Sequence, residues 1–158
     1  MRDRLLTGRD VRAKYLPRNM NARAGRHMGA SFNRATHCAM GTNPRTHARM
    51  TTPFAKLSSL PTREILDGTI RGQYAHLPTM TIGEVRIDAN TIVPMHQHPH
   101  EQTTYVVEGR FEFTVDGETT ILEPGMVALI PSGAMHGGRT LTGCRVIDVF
   151  SPARDDYR

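Results

Sequence analysis

From Thr62 to Phe150 the chain sets short apolar runs between turn residues, with a turn signal every eight to twelve positions. Ile65-Leu66, Gly68 to Leu77 and Met80 to Ile87 read as the first strands. Tyr105 to Val107 and Phe111 to Val115 flank Glu108-Gly109-Arg110, and Asp116-Gly117 marks a tight turn before Thr119 to Leu122. Met126 to Ile130, Met135 to Arg139 and Cys144 to Phe150 complete the series. No stretch after residue 50 keeps a helical period. Regular short strands with this punctuation predict an all-β sandwich or barrel.

Residues 1–49 differ in kind. They hold only six of Leu, Ile, Val, Phe or Tyr, in no sustained period, and 11 Lys/Arg against 2 Asp/Glu. So little apolar surface cannot offset the entropy of ordering the segment, which is expected to be a disordered basic extension with at most a short helix at Asp10 to Leu16. It reads as a nucleic-acid-binding arm, as an Arg-rich transit segment, or as sequence upstream of a true start at Met50; the abrupt change of character at Met50 favours the last.

The division this implies is an extension over 1–49 and one domain over 50–158. All of the formal charge of +5 comes from the extension, because residues 50–158 hold 9 Lys/Arg and 13 Asp/Glu. A basic net charge would ordinarily raise nucleic acid as a partner, but here it says nothing about the folded part. No apolar run approaches membrane-spanning length and none resembles a signal-peptide core. Cys38 and Cys144 make neither a disulfide framework nor a metal spacing. The expectation is a cytoplasmic protein without nucleic-acid or membrane partners.

The chemistry is concentrated in Pro94 to Gly109, which reads Pro-Met-His-Gln-His-Pro-His-Glu-Gln-Thr-Thr-Tyr-Val-Val-Glu-Gly. Strand periodicity puts His96 and His98 on one face, where two imidazoles can reach one ion. Pro99 cannot donate to a ladder, and Pro99-His100-Glu101 fits a hairpin loop that would turn the chain back and set Gln102 opposite His98. Gln102 then becomes a third ligand. His100 and Glu101 compete for that role, but both fall in the expected turn, where solvation or support of the ligands suits them better.

A second stretch, Gly125 to His136, joins a turn glycine, an apolar strand, the Pro131-Ser132-Gly133 turn and a histidine. Together the two stretches resemble the two-part signature of the cupins. His96, His98, Gln102 and Gly109 match the first motif, and Gly125, Pro131, Gly133 and His136 match the second. The resemblance implies a jelly-roll β-barrel, the double-stranded β-helix, with one divalent ion (zinc, nickel, manganese or iron) held by His96, His98, Gln102 and His136, and a homodimer. Three positions depart from the pattern. Asn90 stands where glycine is usual, which its tolerance of positive φ makes mild. Thr140 replaces an asparagine, and Gln102 replaces glutamate. Three neutral imidazoles and a neutral amide leave a divalent site at +2, which favours polarising a bound oxygen over stabilising an oxidised metal.

Val146-Ile-Asp148-Val-Phe150-Ser-Pro152-Ala-Arg154-Asp-Asp-Tyr157 extends the likeness to the small single-domain cupins of the KdgF type, over residues 62 to 158. Members of that group convert a 4,5-unsaturated monouronate to its linear ketonised form. By that resemblance Asp148 moves the proton, Arg154 clamps the carboxylate of an anionic sugar acid, and Phe150 walls the pocket. The residue chemistry agrees: Asp148 and Phe150 share strand parity, and a guanidinium meets a carboxylate with two parallel bonds. Pairing of Asp148 with Arg145 or Arg154 is the plainer alternative. Tyr105, Met95, Met126 and Met135 are assigned to core or cavity lining, and His76 has no evident partner. The competing functions are a cupin dioxygenase or lyase, and a non-enzymatic small-ligand-binding cupin.

Overall fold

The computed structural model describes residues 53–158; the expected disorder of residues 1–49, the short helix at Asp10 to Leu16 and the start at Met50 concern residues outside that range. Ten antiparallel strands follow in chain order: β1 Thr62–Ile65, β2 Ile70–His76, β3 Thr81–Ile87, β4 Ile92–His96, β5 Glu101–Glu108, β6 Phe111–Val115, β7 Glu118–Leu122, β8 Val127–Ile130, β9 His136–Thr140 and β10 Cys144–Ser151. The only helices among the described residues are single 3-10 turns at Leu57–Ser59 and Asp155–Tyr157. Neither is long and apolar enough to cross a membrane. The expected all-β jelly roll is what the described residues form.

One sheet has six strands in the order β1-β2-β3-β10-β5-β8, and the other has four in the order β4-β9-β6-β7. Burial alternates most clearly in β2, β3 and β8. In β3, Thr81, Gly83, Val85 and Ile87 are buried while Ile82 and Arg86 are exposed. Between the sheets Phe111 and Phe113 stack edge to face at 4.9 Å, over Val85, Val106 and Val146, which are almost wholly buried. Each such side chain contributes about 1.5–3 kcal/mol relative to leaving it in water.

The register of the six-stranded sheet sorts its inward side chains into rows. His76, Thr81, Phe150, Gln102 and Ile130 form one. Next come Tyr74, Gly83, Asp148, Thr104 and Ala128, and then Gly72, Val85, Val146 and Val106. The sheet therefore grades from a polar end to an apolar one.

The turns follow local chemistry. Asp116 and Gly117 take φ of 47° and 82°, the left-handed pair that a two-residue hairpin needs. Asn90 sits at φ 60°, as its place in a glycine position anticipated. Thr140 takes over a pinning task beside it: its hydroxyl donates to the Asp88 carbonyl at 2.6 Å and accepts from the Thr91 amide at 3.0 Å.

One expectation is corrected. β4 and β5 are not a hairpin, because β4 pairs with β9 in the four-stranded sheet and β5 with β10 and β8 in the other. Residues 97–100 are a crossing between sheets, and Gln102 faces Phe150 and Ile130 across the ladders rather than His98. Proline ends a strand equally well at either kind of bend, so Pro99 could not distinguish them.

Candidate metal centre

The crossing still delivers its histidines to one place. His96 ends β4 directly opposite His136, the first residue of β9, and their rings lie 4.2 Å apart between centroids. His98, carried on the crossing itself, lies 4.8 Å from the His136 ring. One nitrogen from each of the three comes within 4.8 Å of the others, so together they could hold a metal ion.

Backbone carbonyls set the tautomers. Nδ1 of His96 lies 2.9 Å from the Pro94 oxygen, that of His136 lies 2.9 Å from the Ala134 oxygen, and that of His98 lies 3.1 Å from the His100 oxygen. A carbonyl can only accept, so each Nδ1 carries the proton and each Nε2 presents a lone pair. Three lone pairs thus converge, one of them on a nitrogen that has no protein partner: Nε2 of the buried His136. Burial pushes the His136 pKa down to about 4 and lowers that of His98. Neutral imidazoles are the form that ligates.

Gln102 adds a fourth donor. Its amide nitrogen donates to Thr104 Oγ1 at 2.9 Å and to Asp148 Oδ1 at 3.2 Å, which turns its oxygen toward His98 Nε2 at 2.9 Å. Two acceptors at that distance repel unless a cation or proton lies against them. The geometry therefore fits an ion on its own terms. Gln102 also has a reason beyond ion charge: a glutamate there would set a second carboxylate beside Asp148.

A cupin domain model matches residues 83–150. The pectin degradation protein KdgF of Dickeya dadantii is 33% identical over 99 residues, spanning 61% of this chain and 90% of that one. The chain belongs to the cupin family. An uncharacterized protein of Streptomyces coelicolor is 33% identical over 81 residues, spanning 51% of this chain and 77% of that one. Among solved structures, KdgF from Halomonas sp. superposes with a TM-score of 0.63 at 34% identity, over 68% of this chain and all (100%) of that one. An RmlC-like cupin from Shewanella frigidimarina gives 0.63 at 30% identity, over 68% and 97%.

In this cupin the histidines open onto a cavity of about 310 Å³ that Gln102, Thr104, Asp148, Phe150, Arg154 and Tyr157 also line. The plainer pairings of Asp148 are not made. Arg145 goes to Glu84 and Glu108, and Arg154 to Asp156. Asp148 instead accepts from Thr104 Oγ1 at 2.6 Å as well as from Gln102. Burial pushes its pKa up to about 6, against the lowering effect of those two bonds and of Arg154.

Arg154 Nε and Nη2 hold the two Asp156 oxygens at 2.9 and 2.8 Å. Its guanidinium carbon lies 4.0 Å from the Tyr157 ring centroid and 5.1 Å from that of Phe150. Phe150 therefore backs the guanidinium as well as walling the cavity.

Other expected positions fall elsewhere. Tyr105, Met95 and Met135 are exposed and are not cavity lining, because Tyr105 has the opposite parity to Gln102 and Thr104; Met126 packs against the core. His76 does have a partner, the Thr81 hydroxyl at 2.9 Å. Sequence reasoning passed over Thr104, Tyr157 and Tyr74. Parity with Gln102 would have found Thr104; the other two depend on contacts between strands.

Proposed function

We propose that the chain is a metal-dependent isomerase of sugar acids, opening a 4,5-unsaturated monouronate and leaving it in the linear ketonised form. One observation carries the reading: Asp148, with a pKa near 6, shares a hydrogen bond with the amide of Gln102, so a proton-moving group and an ion-facing group form one unit on one cavity. Similarity to a pectin degradation protein supports the substrate class.

His96, His98, Gln102 and His136 would hold one divalent ion, zinc, nickel, manganese or iron, whose contribution is to polarise a substrate oxygen. The reaction is an isomerisation. The anomeric hydroxyl loses its proton, the bond from C1 to the ring oxygen breaks, and C1 becomes an aldehyde; the enol left at C4–C5 takes a proton on C4 and becomes a ketone at C5. No oxidant and no water is consumed. Asp148 suits both transfers, because a carboxyl near pKa 6 gives and takes protons readily close to neutrality. Arg154 would receive the substrate carboxylate on the Nη1 side, since Asp156 occupies its Nε–Nη2 edge. Phe150 holds the guanidinium plane and closes the wall behind it.

The working form in this reading is a cytoplasmic homodimer with no nucleic-acid or membrane partner. Ile82, Tyr105 and Val127 are exposed on the outer face of the six-stranded sheet and give a second copy an apolar surface to cover. The test of activity is loss of the unsaturated chromophore when metal-loaded protein is added to pectin- and alginate-derived unsaturated monouronates. Consumption above the spontaneous rate is expected. No consumption of any of them, or oxygen uptake in step with substrate loss, would overturn the assignment.

A further inference from the structure

Tyr74 lies in the same cavity but takes no part in the network of Gln102, Thr104 and Asp148. Its residue is 9% exposed, and the side-chain hydrogen bonds among the described residues do not include its hydroxyl, which is not fully enclosed and opens toward the cavity. A hydroxyl on a largely buried tyrosine ordinarily finds a partner. The fold has made a specific place for this ring. It lies flat along the six-stranded sheet over Gly72 and Gly83, and a β-carbon at either glycine would collide with it. Tyr157 covers it, the two ring centroids 4.7 Å apart.

Gly83 lies between Tyr74 and Asp148 in the same row and has no side chain to separate them. The hydroxyl reaches over Gly72 into the next row, where the other inward residues are Val85, Val146 and Val106. A lone donor is thus held among valines on the side of Asp148 away from the histidines. Burial keeps the phenol protonated by raising its pKa.

We propose that Tyr74 is a specificity-determining residue that donates a hydrogen bond to a hydroxyl or carbonyl oxygen of the bound sugar acid, at the end of the ligand remote from the ion. This rests on the sugar-acid reading above. Its consequence is selection for ligands that carry an oxygen at that end. An apolar group there would leave the phenol unsatisfied, and a site built around a buried donor discriminates strongly against a ligand lacking the acceptor. The Gly72 and Gly83 cradle gives the hydroxyl a fixed position, so the bond requires no reordering of the ring on binding.

The experiment compares metal-loaded wild type with Tyr74→Phe. It measures steady-state loss of the 4,5-unsaturated monouronate chromophore and, by calorimetry, binding of galacturonate as a saturated monouronate probe. Phenylalanine keeps the ring in its cradle, and thermal unfolding should leave the midpoint unlowered. Loss of one hydrogen bond made equally in ground and transition states predicts a KM raised about tenfold with kcat little changed, and galacturonate binding weakened by a similar factor. Wild-type turnover with Tyr74→Phe matching it in KM and in galacturonate affinity would overturn the proposal alone. A fall in kcat at unchanged KM would overturn the ground-state contact. Wild type that neither binds nor consumes monouronates would overturn the sugar-acid reading, and the role of Tyr74 with it.

Discussion

At the scale of single residues, the amide of Gln102 is the informative departure from the family pattern. Its two ends face different chemistries: the oxygen faces the histidines and the nitrogen donates to Asp148 and Thr104. Gln102→Glu would replace that donation by carboxylate against carboxylate and hold Asp148 protonated. Elemental analysis should then find the ion retained, while turnover falls on the order of 10–100-fold, the range of lost support around a ligand.

His136 makes a second prediction, for metal-stripped protein. Its folded-state pKa of about 4 lies below the ordinary histidine value of about 6.5. The unfolded chain therefore takes up the proton first as pH falls. The contribution to stability is complete above about pH 6.5 and is lost progressively toward pH 4. Denaturant titrations of the apoprotein should show that decline, and His136→Gln should flatten it.

At the scale of elements, the two-aromatic stretch of β6 supports the histidine end from below. Phe113 is 5% exposed, packs on Phe111 and lies 6.3 Å from the His136 ring. Phe113→Ala should cost about 3–5 kcal/mol in equilibrium unfolding.

The strands were legible because short apolar runs lie between turn residues, and parity alone put Asp148 with Phe150. What the sequence could not convey is sheet membership. A turn within one sheet and a crossing between two use the same proline and polar residues, so β4 and β5 read as a hairpin although their ladders lie in different sheets. His98 and Gln102 nevertheless meet, by a chain crossing rather than a ladder. Tyr74 stayed hidden for a related reason: its place depends on Gly83 being its partner across strands, and register is not written in either segment alone.

At the scale of the whole molecule, the jelly roll separates two surfaces by strand parity. Inward positions grade from histidines through Asp148 and Thr104 to valines, while outward ones present Ile82, Tyr105 and Val127. If the outer face is covered by a second copy, sedimentation equilibrium should return twice the 17.6 kDa chain mass, and Tyr105→Glu should shift the protein toward monomer.

The central claim is that Asp148 moves a proton to C4 of an unsaturated monouronate in a cavity capped by an ion. The most direct measurement is nuclear magnetic resonance of that substrate in deuterated water, with metal-loaded wild type and with Asp148→Asn, after elemental analysis shows equal ion content. Wild type should form the linear 5-keto product with one deuterium at C4, well above the spontaneous rate, and Asp148→Asn should slow it on the order of 10²–10⁴-fold. Equal rates in the two proteins, or a wild-type rate no faster than the spontaneous one, would contradict the account.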